Sequence, residues 1–246
     1  GKKVSKRTAR PSKRGPVFGG RWSRVADLVD LQVSATERAH ARALALLERY
    51  GVVSREAAAA EDLPGGFSAV YPVLKAMEEA GKIRRGYFVE GLSGAQFAYA
   101  GAVERLRASR DDDGAETAQL VAATDPANPY GILFPWPERP STGDGEATSR
   151  KPRRLTGAWV ILWRGAPLAY VDASGHGLMT FPALWASDEA LRHGYEGLRT
   201  LASRRRGQAL YIRQVDGLAA LAHPHRRALQ QAGMGYSFDG LTVGAQ

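Results

Sequence analysis

Four side chains between residues 75 and 87 carry the chemistry of nucleic-acid contact: Lys75, Arg84, Arg85 and Tyr87. Lysine and arginine neutralise backbone phosphates, and the planar arginine fork also reads base edges. Wound as a helix, the stretch before them puts Ser68 and Tyr71 on the same outer face as Lys75 and Glu78. A competing reading stays open. Glu78 and Glu79 on that helix repel phosphate, so the same surface also suits contact with protein.

Two carboxylates have positions suited to handling water, Asp125 and Asp172. Asp172 closes a strand expected to be partly buried, and burial raises a carboxylate's pKa toward the range a general base needs. Its other reading is a strand terminator that accepts hydrogen bonds from the next turn. The histidines His40, His176, His193, His223 and His225 show no zinc-ligand spacing, and His223-Pro224-His225 reads as turn and cap chemistry. No metal site is expected. Ser68, Ser174 and Ser187 have no neighbouring His and Asp pattern for a hydrolase triad. No phosphate-cradling Gly-x4-Gly-Lys-Ser/Thr motif occurs, so the segment is not itself a nucleotide-driven motor. Absence of cysteine excludes disulfides, Cys-ligated zinc and a thiol nucleophile. Trp159, Trp163, Tyr170 and Phe181 fall on short alternating strands, where packing is the first reading and base stacking the second.

These residues need positioning elements, and the pattern supplies them. Thr36 is expected to cap a helix running to Tyr50, with an apolar stripe of Ala39, Ala43, Leu46, Leu47 and Tyr50 and a closing Gly51. Val52-Val53 is extended, and Ser54 caps a second, alanine-rich helix. Leu63-Pro64-Gly65-Gly66 turns the chain into a third helix, Ser68–Gly81, with Ser68 as its N-cap and Val70, Val73, Leu74 and Met77 as its buried stripe. Pro72 is awkward in that helix unless it starts late, because proline lacks an N–H. Strands Ile83–Val89 and Ala95–Ala100 form a hairpin behind it. Three helices and a hairpin make a winged helix-turn-helix.

Downstream come a strand at Leu120–Thr124, the rigid turn Asp125-Pro126-Ala127-Asn128-Pro129-Tyr130-Gly131, and a mobile loop at 138–154. Strands Ala158–Trp163, Leu168–Asp172 and Leu178–Phe181 follow. Next is a helix from the Ser187 cap to about Arg206, with acids first and arginines last, as the helix dipole favours. A strand at Ala209–Val215, a helix near Pro224 and a hairpin around Asp239-Gly240 complete the chain. The expected fold is α+β: residues 1–20 a basic linker, 21–110 a winged-helix domain, and 115–246 a small β-rich, barrel-like α+β module.

The net charge of +9 suits an anionic partner. It resides in residues 1–24, which hold nine basic and no acidic side chains, so the remainder is neutral overall. That run either binds phosphates by counterion release or is a solvated linker. No apolar stretch approaches a bilayer span, and no signal peptide is evident. The chain, which begins with Gly in the basic run, reads as a piece of a longer protein.

The runs Gly20-Arg21-Trp22-Ser23, Leu47-Glu48-Arg49-Tyr50-Gly51-Val52-Val53-Ser54-Arg55-Glu56 and Pro64-Gly65-Gly66-Phe67-Ser68-Ala69-Val70-Tyr71-Pro72-Val73-Leu74 resemble the C-terminal part of the large helicase-related (Lhr) family. So do Arg85–Ala98 and Ala123–Gly131. The resemblance implies a parent that is a superfamily-2, ATP-dependent DNA helicase linked to repair. The motor, with ATP and Mg, would lie N-terminal to this segment, in a bacterial cytoplasmic, nucleoid-associated protein. It also implies winged helices ending in a β-barrel-like module akin to the AlkZ/YcaQ DNA glycosylases, and homo-oligomer assembly. The implied partners are DNA, the parent's own helicase core and sister copies, with no membrane. Those glycosylases carry Gln-Φ-Gln or Gln-Φ-Asp in an early winged helix. Gln32-Val33-Ser34 departs from it, and Gln214-Val215-Asp216 matches the letters only in the terminal module. Three functions follow: a non-motor module for DNA engagement or assembly, a base-excision domain using Asp172 or Asp125 on a flipped nucleotide, or a purely structural oligomerisation module.

Overall fold

The computed structural model describes residues 23–28, 32–111, 117–138, 151–205 and 208–244. The basic stretch 1–20 and residues 139–150 of the expected loop lie outside them. After a 3-10 turn at Val25–Leu28, helix α1 runs Ala35–Tyr50. Its cap is Ser34, not Thr36. The Ser34 hydroxyl accepts from the Glu37 N–H, and the Glu37 carboxylate accepts from the Ser34 N–H at 2.8 Å. This reciprocal box satisfies two orphan donors at once. Strand β1 (Val52–Val53) and helix α2 (Arg55–Ala60, capped by Ser54) follow as the pattern predicts.

Helix α3 spans Gly66–Glu79. It starts two residues before Ser68, on a left-handed Gly65 with no side-chain cap, so Ser68 sits exposed in the first turn instead of capping it. The early start places Pro72 inside the helix. Its missing N–H leaves the Ser68 carbonyl without an intrahelical donor, which an exposed position tolerates. Strands β2 (Arg84–Gly86) and β3 (Gln96–Ala98) are shorter than expected. They form one antiparallel sheet with β1, in the order β1-β3-β2. Helix α4 (Ala100–Asp111) follows. Leu46, Leu47, Val53, Val70, Leu74, Met77, Ile83 and Phe97 make the core between helices and sheet.

Beyond residue 117 the chain builds a six-stranded sheet. Its strands are β4 (Gln119–Ala122), β5 (Trp159–Trp163), β6 (Ala166–Val171), β7 (Gly177–Thr180), and, later in the chain, β9 (Gln214–Val215) and β10 (Leu218–Ala219). The order β10-β9-β7-β6-β5-β4 leaves it open: among the described residues no closed barrel forms. Helix α5 (Asp188–Arg204, capped by Ser187) covers one face through Leu198, Leu201 and Ala202. The other face carries Val160, Tyr170, Met179 and Phe181, and Trp136 stacks on Phe181 with ring centroids 6.0 Å apart. Tyr170 and Phe181 are therefore packing residues, not a stacking platform.

The expected strand 209–215 is two strands in two sheets. β8 (Leu210–Ile212) pairs with β12 (Gly240–Val243), which pairs with β11 (Gly235–Ser237). The chain crosses over at Arg213, where the N–H groups of Arg213 and Gln214 both donate to the His176 carbonyl. Helix α6 (Arg226–Gln231) precedes the last hairpin. Of the residues expected to be mobile, Arg154 is anchored: its guanidinium donates to the carbonyls of Asp125, Asn128 and Tyr130. Burial lowers its pKa, opposed by the Asp125 charge.

Candidate nucleic-acid interface

The wing owes its shape to one buried side chain. Gln96, on β3, accepts from the N–H groups of Phe88 and Val89, both at 2.9 Å, and donates to the Val89 carbonyl at 2.8 Å. An amide side chain matches a bent backbone in this way because it offers both a donor pair and an acceptor. From α2, Glu56 accepts from the backbone and hydroxyl of Ser93, at 3.0 and 2.6 Å. Burial raises the Glu56 pKa, but the Ser93 bonds outweigh it and hold the carboxyl below its ordinary range. The loop between β2 and β3 is thus tied at both shoulders.

That wing presents Arg85, exposed, and Tyr87, 86% exposed. Arg84 faces the other way and pairs with Glu104 at 3.2 Å, which Arg107 shares at 3.0 Å. On α3, Lys75 lies 3.6 Å from Glu79. Tyr71 does not stand on the outer face as expected. Its ring packs against Phe97 and Phe67 at 5.9 and 5.8 Å, half buried in the aromatic end of the core. The exposed side of α3 toward α1 is an apolar groove lined by Ala69, Pro72, Val73 and Ala76. A base-reading helix carries polar forks there. The structure therefore brings Arg85 and Tyr87 together, and gives Lys75 and Arg84 carboxylate partners.

Both candidate carboxylates serve turns. Asp172 Oδ1 accepts from the Ser174 hydroxyl at 2.6 Å and the Gly175 N–H at 2.9 Å, and Asp125 Oδ1 accepts from the Ala127 N–H at 2.8 Å. A more buried carboxylate entered the sequence reading only as the last letter of Gln214-Val215-Asp216. Asp216, in the hairpin turn between β9 and β10, accepts from the Thr180 N–H at 2.7 Å and hydroxyl at 2.5 Å, with His223 Nε2 at 3.5 Å. Its positive φ and the following Gly217 are the signature of a two-residue hairpin turn. Asp-Gly after a strand could have shown this turn, but not the burial.

Charge is distributed unevenly within the neutral body. Residues 32–110 carry eleven basic and nine acidic side chains, and residues 151–246 carry twelve and six. Among the described residues no cluster of three metal-ligating side chains occurs, and no helix is long and apolar enough to cross a membrane.

A winged helix joined to an open-sheet α+β module is thus the class that fold and site define. A family model for the winged-helix domain of large helicase-related protein matches residues 32–118. The chain belongs to the Lhr family, as part of its C-terminal region. It is 40% identical over 210 residues to the Lhr helicase/probable uracil glycosylase of Mycolicibacterium smegmatis, covering 84% of this chain and 13% of that protein. It is 35% identical over 241 residues to the Lhr helicase/uracil glycosylase of Escherichia coli, covering 96% of this chain and 15% of that protein. The chain therefore spans about a seventh of the length of these relatives.

Proposed function

We propose that this segment is a non-motor, DNA-engaging module of an Lhr helicase acting in DNA repair, with the wing as its contact. The observation that carries the reading is the tied loop presenting Arg85 and Tyr87 to solvent. A loop held rigid before binding loses little entropy on contact with a phosphate backbone. In this reading ATP and Mg belong to the motor of the parent, which works in the bacterial cytoplasm on the nucleoid. Copies assemble through this region, and light scattering that finds a monomer for both segment and parent would remove the assembly part. The test of DNA engagement is fluorescence anisotropy with duplex, forked and single-stranded oligonucleotides over a range of salt. R85A should weaken duplex binding and make the salt dependence shallower by about one counterion. Affinity that ignores salt, or equal binding by R85A, sinks the reading.

The names of the relatives favour base excision as a second reading. Uracil-containing DNA incubated with the chain and then alkali tests it. An uncleaved strand removes it for this segment, and cleavage that survives D125N and D172N separates it from those two carboxylates.

A further inference from the structure

The wing of the first module rests on the second. The loop between β2 and β3 is tied at Phe88 and Val89 by Gln96 and at Ser93 by Glu56. Between those ties lies Gly91, with φ +80°. A Cβ built there would come 3.3 Å from Cε1 of Phe134, a residue of the segment after β4. Gly91 is thus constrained twice: its backbone favours glycine, and a side chain would crowd the ring. The Phe134 ring therefore lies against bare backbone in the middle of the wing loop. Arg85 and Tyr87 stand exposed on the limb leading in from β2.

Phe134 is itself held. Its N–H donates to the Pro129 carbonyl at 3.1 Å, and its carbonyl accepts from the Gly131 N–H at 2.7 Å. Its ring meets Tyr130 with centroids 6.1 Å apart. Tyr130 stacks on Trp136 at 5.9 Å and donates its hydroxyl to the Gly165 carbonyl at 2.9 Å. Trp136 lies on Phe181, which is fully buried against the sheet. A run of rings at ordinary aromatic contact distances thus leads from the wing into the second core. Asn128 and Arg154 pin the same segment: Asn128 Nδ2 donates to the Ala123 carbonyl at 3.0 Å, and the Arg154 guanidinium donates to three of the segment's carbonyls. Arg154 also reaches the first module. Burial raises the Tyr50 phenol's pKa, and the Arg154 charge opposes that rise.

We infer that Phe134 is a positioning residue for the DNA contact, fixing the wing on the second module by acting through Gly91. Two modules that share few contacts move against each other by default. The Phe134 ring bears on the stretch of wing between its two ties, so the loop and the second module move as one body. Arg85 and Tyr87 are then placed before DNA arrives, which lowers the ordering cost of binding. The inference rests on the wing reading above and deepens it: the second module takes part in duplex binding through the wing.

Whole-chain variants test it by NMR and by duplex anisotropy, read below the melting transition of each variant. Gly91 faces the ring, so a ring-current shift should mark its α-protons, persist in F134Y and vanish in F134L. F134L should weaken duplex binding about three- to tenfold. Its salt dependence should stay that of the unaltered chain, because no phosphate contact is removed, whereas R85A makes it shallower. F134Y keeps the ring and should bind as the unaltered chain does. Undiminished duplex binding by F134L, with R85A weakened, overturns the inference and leaves the wing reading standing. A Gly91 shift that survives in F134L, a shallower salt dependence in F134L, or weakened binding by F134Y with its shift intact also overturns it. If R85A binds like the unaltered chain, the wing reading falls and takes this inference with it.

Discussion

Replacing Gln96 by leucine tests what shapes the wing. Leucine approximates the side-chain volume, so the core around Phe97 stays filled, but the hydrogen bonds go. Three of them are at 2.8–2.9 Å, and a fourth contact, to the Leu92 carbonyl, is long at 3.4 Å. A typical intramolecular hydrogen bond contributes about 0.5–1.5 kcal/mol net, and stranded partners add their desolvation. Phe88 and Val89 are half buried, so their amides recover part of that loss from water. The expected cost is roughly 2–4 kcal/mol for the closed loop. Hydrogen exchange reads it locally: the amides of Phe88 and Val89 should exchange about 30- to 700-fold faster in Q96L. Duplex affinity should fall with them, because Arg85 and Tyr87 flank the released loop. Unaltered exchange at Phe88 and Val89 would refute the claim that Gln96 holds the wing.

Gly197 faces β5, where a Cβ would lie 2.6 Å from Ile161 Cγ2. G197A should destabilise the chain by about 1–3 kcal/mol of overpacking, less up to about 1 kcal/mol of helix propensity, and a raised Tm would show that α5 is not seated as described. D216N leaves the Thr180 donors with a weaker acceptor and should cost about 1–3 kcal/mol, read by urea denaturation; Trp185 fluorescence is a local probe because its indole donates to Thr180. Burial, aided by the bond to Glu61, pushes the Tyr50 phenol up to about 12. Its folded pKa exceeds its unfolded one, so the stability it contributes is complete below pH 10 and is lost as pH rises from about 10 to about 12. Y50F should remove that alkaline loss, and an identical alkaline melting profile in Y50F would contradict it.

Periodic signals were the legible part of the fold. The stripe of α1, the Ser54 and Ser187 caps, and a last hairpin around Asp239-Gly240 stand where the residue pattern puts them, because helix period and turn chemistry are local. What failed depended on a competing local cap or on partners distant in sequence. Ser68 and Thr36 look like caps by type, but Gly65-Gly66 starts α3 earlier and the Ser34–Glu37 box starts α1 earlier. Tyr71 reads as outward by helical spacing until Phe97, from a strand 26 positions on, draws its ring into the core. The run 209–215 reads as one strand, and only the two sheets it serves divide it at Arg213. In the site, Arg85 and Tyr87 were legible by type, but the carboxylates that engage Lys75 and Arg84 were legible only in part: Glu79 sits one turn away, whereas Glu104 comes from α4. The role of Gln96 and the burial of Asp216 left no local mark, since both depend on what packs around them.

Hydrogen exchange of the whole chain with and without single-stranded and duplex DNA addresses the central claim most directly. The account predicts slowed exchange at residues 85–93 with duplex. Exchange unaffected there under saturating DNA, or slowed only along the α1–α3 groove, would contradict it.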